Sequence, residues 1–257
     1  MVPLLEETRR SNLIFIPCQD PGEPIRVDRL QRVRKPVSRS KAGVQGKVAD
    51  VVHGRSRHAE SQNELRAFQV LVATAYANSW QEQPFTLEYH NEGAKHRYTP
   101  DVLVVWGARR EVVEIKDDQE AALPENRARF AVVAELLAEH GYRFRLWTRS
   151  EIYAEPRLTN ANLVLRYRNT AVSALDREAV RRALGSAPET DLRTLCETSA
   201  TAVPCVLRLV IEGAIHINWW EPLGMESQVS NAPLGPQVWP CLPDAIAATP
   251  PGDGRCH

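Results

Sequence analysis

One stretch narrows the possibilities for this chain more than any other. Tyr98-Thr99-Pro100-Asp101-Val102-Leu103-Val104-Val105-Trp106 runs into Gly107-Ala108-Arg109-Arg110 and then into Glu111-Val112-Val113-Glu114-Ile115-Lys116. Two runs rich in Val and Ile on either side of a short segment opened by Gly read as a β-hairpin. With residues 107–110 as the loop, Trp106 faces Glu111, Leu103 faces Glu114 and Asp101 faces Lys116. Side chains alternate along a strand, so Asp101, Glu114 and Lys116 project from one face, and a slip of one residue would separate them.

Two carboxylates and an ammonium on one side of a buried hairpin make poor packing, because burying unpaired charge is costly. A divalent cation changes that balance. Magnesium takes carboxylate oxygens and is often held by one or two carboxylates plus substrate phosphates. Asp101 and Glu114 are then candidate metal ligands, and Lys116 can orient water or stabilise charge on a phosphate. The pattern points to phosphodiester hydrolysis. The competing reading is a solvated sheet edge of mixed charge.

The 257 residues suffice for one large domain or two ordinary ones. Formal net charge is zero, which excludes an overall basic nucleic-acid binder, yet the charge is unevenly placed. Between Arg26 and Arg57 ten basic residues stand against two aspartates. This stretch also holds Gly43, Gly46 and Gly54 and few large apolar residues, so it reads as an irregular arm. Lys and Arg set against phosphates give sequence-independent, salt-sensitive affinity. Arg32, Arg34, Lys35, Arg39, Lys41, Lys47, Arg55 and Arg57 are therefore candidate DNA contacts. The alternative is a merely solvated arm. No apolar run is long enough to span a bilayer and no secretory signal is evident, so a cytoplasmic protein without membrane contact is expected. Five cysteines, with no Cys-x-x-Cys pair, suggest reduced thiols.

From Ser61 the spacing is helical, with Leu65, Phe68, Leu71 or Val72, and Ala75 on one stripe. Ser61 and Glu64 form a capping-box pattern. Glu64 either caps this helix or leans over the hairpin as a further acidic group. Gln83 to Tyr89 reads as a strand and Asn91-Glu92-Gly93 as a turn. Asp117 to Glu120 reads as a turn, and Pro124 opens a helix carrying Phe130, Val133, Leu136 and Leu137, ended by Gly141. Arg127 and Arg129, near its start, can face DNA or water. Tyr142 to Trp147 is a further strand. This order gives an α/β fold, a mixed sheet flanked by helices.

Glu64 on the first helix, Pro100-Asp101 opening a strand and Glu114-x-Lys116 ending the next resemble the PD-(D/E)xK nuclease superfamily. The chain is more narrowly similar to TnsA-type transposon-end endonucleases through Ser61-Gln62-Asn63-Glu64, Gln83-Pro84, Arg97-Tyr98-Thr99-Pro100-Asp101, Val113-Glu114-Ile115-Lys116, and Trp147-Thr148 before Glu151. The resemblance covers roughly residues 40–155. It implies a restriction-endonuclease-like fold, catalytic roles for Glu64, Asp101, Glu114 and Lys116, and a metal site of Asp101, Glu114 and Glu64 taking Mg2+, with Mn2+ as a substitute. It also implies double-stranded DNA at transposon ends as substrate, with cleavage at the 5′ ends of the element. An RNase H-like (DDE) transposase subunit and an AAA+ ATPase regulator are the implied partners, with the protein on the nucleoid during transposition. A stand-alone restriction or repair nuclease and a non-catalytic DNA-binding assembly subunit are the alternatives.

Beyond the core, Leu163 to Tyr167 reads as extended. Helices follow at Ser173–Leu184, around Asp191–Ser199 and from about Thr201, and then a strand at Ala214–Trp219. Three short helices with strands suggest a small winged-helix-like domain, which the family also has, able to read DNA or dock a protein. From Asn231 prolines recur around a lone Trp239, a Pro-rich tail. The expected organisation is a basic arm (1–58), a nuclease core (59–156), a winged-helix-like domain (157–230) and the tail (231–257).

Overall fold

The computed structural model describes residues 11–14, 46–74, 79–106 and 109–234. The candidate contacts Arg32, Arg34, Lys35, Arg39 and Lys41, and the Pro-rich tail from residue 235 on, lie outside the described residues.

A short strand, β1 (Ser11–Ile14), is followed by β2 (Gly46–Asp50), β3 (Arg55–Ala59), helix α1 (Gln62–Thr74), β4 (Ser79–Glu82), β5 (Thr86–Asn91), β6 (Ala94–Tyr98), β7 (Val102–Trp106) and β8 (Arg109–Lys116). Then come α2 (Asp118–Ala122), α3 (Pro124–Glu139), β9 (Arg143–Thr148), α4 (Arg149–Ile152) and α5 (Arg157–Leu165). The remainder is α6 (Ala174–Ser186), β10 (Glu189–Asp191), α7 (Leu192–Ser199), α8 (Val203–Ile211), β11 (His216–Ile217) and β12 (Gln228–Ser230).

The central sheet has the order β4-β7-β8-β9, antiparallel except for the parallel pair β8 and β9. Its inner strands are buried on both faces, which is why they read as runs of Val and Ile without polar alternation. Val102, Val104, Val113 and Ile115 go to one face with Phe68, Leu71 and Val72 of α1. Leu103 and Val112 go to the other with Val133, Leu136 and Leu137 of α3 and with Phe85, Leu87, Tyr89 and Tyr98. A second sheet, β1-β5-β6, supplies Leu87, Tyr89 and Tyr98 to that second core.

The hairpin forms, but with a tighter loop than expected. Val102 pairs with Val113, Leu103 with Val112 and Trp106 with Arg109. Only residues 107 and 108 connect the strands, so the register differs by two residues from the expected one. A shift of two preserves the faces. Three further expectations are corrected, and one strand had no counterpart among them. Residues 46–59 are not an irregular arm but the paired strands β2 and β3. Residues 163–165 are not extended but the end of α5, whose Leu158, Ala161, Val164 and Leu165 bury a helical stripe. Asp117 to Glu120 is not a plain turn: Asp117 caps α2, its side chain accepting from Gln119 N–H at 3.2 Å. Finally, β4 has no alternation to betray it, because its Gln81 and Glu82 are buried with polar partners from β3.

The first core continues through α5 into Val180, Leu184, Leu195, Val206, Leu209 and Val229 without a break at residue 157. Among the described residues no single helix is long and apolar enough to cross a membrane.

Candidate active site

Asp101 sits where the chain enters β7, and its Oδ2 accepts the backbone N–H of Ile115 on β8 at 2.7 Å. The bond fixes the carboxylate to the strand that carries the other two groups. From the opposite side the backbone N–H of Gln83 donates to the Asp101 carbonyl at 2.9 Å.

Glu114 lies within β8 and is 4% exposed. Its Oε2 accepts the Tyr98 hydroxyl at 2.8 Å, and its Oε1 pairs with Lys116 Nζ at 3.0 Å. A solvated edge of mixed charge does not describe this corner, since Glu114 is enclosed. Tyr98 is a contact that periodicity gave no reason to single out. An aromatic residue three positions before Asp101, at the end of a strand, was the available signal.

Glu64 is the third residue of α1, and Ser61 Oγ accepts its N–H at 3.1 Å. The Glu64 carboxylate accepts from Ser61 Oγ at 3.0 Å and from Glu60 N–H at 2.9 Å. The capping arrangement therefore exists. The charge of Glu64 is nonetheless felt at the site.

Burial, the neighbouring Glu114 and then Glu64 push the Asp101 carboxyl well above the usual carboxylate range, against the Ile115 N–H and Lys116. Burial alone would lower Lys116, but Glu114 and Asp101 outweigh it and raise the ammonium above its ordinary value. Burial, followed by Glu114 and Asp101, lifts the Tyr98 phenol well above its usual range. Asp101 and Glu114 share one ammonium, and the charge of Glu64 acts on Asp101 from the start of α1.

That donor set fits a hard divalent cation: oxygen ligands only, two of them on adjoining strands. Among the described residues no three His, Cys, Asp or Glu side chains are grouped so as to enclose an ion. Magnesium sites commonly combine one or two carboxylates with phosphate and water oxygens, so Asp101 and Glu114 are a sufficient protein contribution.

The candidate DNA contacts divide. Lys47 and Arg127 are exposed. Arg57 is 0% exposed: its guanidinium donates to Asp50 at 2.7 and 2.9 Å and to Glu82 at 3.1 Å, and lies 3.9 Å from the Trp80 ring centroid. The expectation that Arg57 touches DNA is corrected, because its charge is spent fastening the β2–β3 hairpin to β4. Arg55 is half-buried and donates to Trp80 O at 3.1 Å and Gln81 Oε1 at 2.7 Å, with no carboxylate among these partners. A cavity lined by Arg145, Trp147, Arg157 and Trp220 opens on the α1 face of the sheet, away from the carboxylates.

A mixed sheet with helices on both faces and Asp, Glu-x-Lys at one corner defines a restriction-endonuclease-like nuclease fold. Residues 77–149 match the family model described as TnsA-like endonuclease N terminal. Over that stretch the chain is similar to the N-terminal domain of TnsA-like endonucleases, which supports a nuclease of that type. The matched stretch contains Asp101, Glu114 and Lys116 and leaves Glu64 outside. No curated protein matches the chain.

Proposed function

We propose that this protein is a magnesium-dependent DNA endonuclease subunit of a heteromeric transposase that cuts the 5′ ends of a mobile element by phosphodiester hydrolysis. One observation carries the reading: Asp101, Glu114 and Lys116 meet at one half-buried corner of a hairpin inside the stretch similar to TnsA-like endonucleases.

Asp101 and Glu114 would hold the cation. When bound, magnesium, or manganese in its place, supplies positive charge at the phosphate and makes water more acidic. Lys116, tethered to Glu114 Oε1, stands beside both carboxylates, where it can orient the attacking water and stabilise charge on the phosphate oxygens. Tyr98 donates to the second oxygen of Glu114 and so limits how that carboxylate can turn. Glu64 adds negative charge from the start of α1 and supports the acidic cluster while capping its helix.

An RNase H-like transposase and an AAA+ ATPase are the partners this reading requires. The C-terminal region suits protein docking better than groove reading. Its α8 buries Val206, Leu207, Leu209, Val210 and Ile211, and Arg208 donates to Glu212 at 2.8 Å and to the carbonyl of Arg168.

The test is a nicking assay on a duplex bearing the element's end, with magnesium and with the candidate partners. Glu114→Ala and Lys116→Ala are each expected to lower the cutting rate at least about a hundredfold, the order of one lost charge-stabilising or acid–base group. Undiminished cutting by both variants rules the assignment out.

A further inference from the structure

We propose that Arg129, in the second turn of α3, is a DNA-phosphate contact on the Glu114 side of the active site. The inference rests on the nuclease reading and adds a residue that grips the substrate.

Position on the helix comes first. Arg129 shares its face of α3 with Val133 and Leu136, four and seven residues on, both fully buried against the sheet. Arg127 shares its own face with Ala131, which is exposed. Arg129 therefore projects along the sheet side of the helix, and because it stands near the helix start it emerges at the rim, exposed. Its guanidinium lies 4.8 Å from the centroid of the Phe130 ring. Val133 and Leu136 on that face pack with Tyr89 and Tyr98 in the second core. Tyr98 in turn touches Glu114.

The second observation is what the neighbouring cations do. Lys95 and Arg97 on β6 pair with Glu88 at 2.9 and 3.1 Å. Arg149 approaches Asp117 at 3.8 Å, and Arg110 bonds Tyr142. Among the described residues no carboxylate pairs with Arg129, whose described neighbours are aromatic rings. A guanidinium resting on a ring keeps its charge and its fork of N–H groups directed outward, the geometry that suits a phosphate.

The third is electrostatic need. Without its cation the corner holds the acidic groups Asp101 and Glu114 against one ammonium, Lys116, and offers a polyanion little attraction. A cation at its rim adds that attraction without entering the carboxylate cluster.

Fluorescence anisotropy of a fluorescein-labelled duplex with the full chain, in EDTA and over a salt series, reads binding apart from catalysis. Arg129→Gln is expected to weaken binding about tenfold, the order of one charge-assisted hydrogen bond, and to reduce the slope of log K against log salt by about 0.9. Arg129→Lys should recover most of the affinity, and Arg127→Gln should cost less than Arg129→Gln. If Arg129→Gln binds with the parent's affinity and slope, or Arg127→Gln loses as much, the Arg129 contact is overturned while the nuclease reading stands. A parent chain that fails to bind duplex at low salt overturns both.

Discussion

Tyr98 shows how much of the setting of the Glu114 carboxylate comes from one neighbouring phenol. Its hydroxyl donates to one oxygen of Glu114 while Lys116 takes the other, so Glu114 is held from both ends inside a corner that water barely enters. Such supporting bonds typically govern metal affinity by about ten- to a hundredfold. Tyr98→Phe keeps the ring and removes only the donor. The expected result is a magnesium requirement raised roughly tenfold, with little change in the rate at saturating metal. Isothermal titration with Mn2+ alone gives the same comparison without turnover. Unchanged metal affinity by both methods would mean the phenol only packs.

At the scale of single elements, α1 illustrates two demands on one side chain. Ser61 and Glu64 close the start of the helix through reciprocal bonds, and the same carboxylate raises Asp101 across the site. The two roles separate by substitution. Ser61→Ala should cost about 1 kcal/mol in a urea melt, the usual loss of an N-cap, and leave nicking within a fewfold of the parent. Glu64→Gln retains an acceptor for Glu60 N–H and should melt near the parent, yet lose most nicking. The reverse pattern would reduce Glu64 to a helix cap. The β2–β3 hairpin carries a comparable lesson: Arg57, one of a run of arginines in the sequence, is withdrawn from solvent by Asp50, Glu82 and the Trp80 ring. A charge pattern cannot distinguish an arginine that faces phosphate from one that staples two strands, because the distinction depends on residues 25 positions away.

In the whole molecule, one apolar cluster joins the sheet face under α1 to the helices and small sheet of the C-terminal third. Leu195 on α7 is fully buried in it, as is Trp80 on β4. Loosening the C-terminal part should therefore loosen the nuclease core. Leu195→Ala is expected to destabilise by about 2–5 kcal/mol, and tryptophan fluorescence and far-ultraviolet circular dichroism should report one shared transition. Two resolved transitions, with only the first moved, would show that the regions unfold independently.

What was legible in the amino-acid order was local and periodic. A hairpin of Val and Ile runs set Asp101, Glu114 and Lys116 to one side in both the expected and the observed register, because a two-residue change of register returns every side chain to its face. The capping pattern at Ser61, the Pro124 start of α3 and the turn at Gly141 are likewise short-range steric and hydrogen-bonding preferences. Contacts between distant segments had no such signature. Strand β4, the helical α5, the burial of Arg57 and the contact of Tyr98 with Glu114 depend on which surfaces pack together, and packing free energy is shared among side chains that no window of sequence contains.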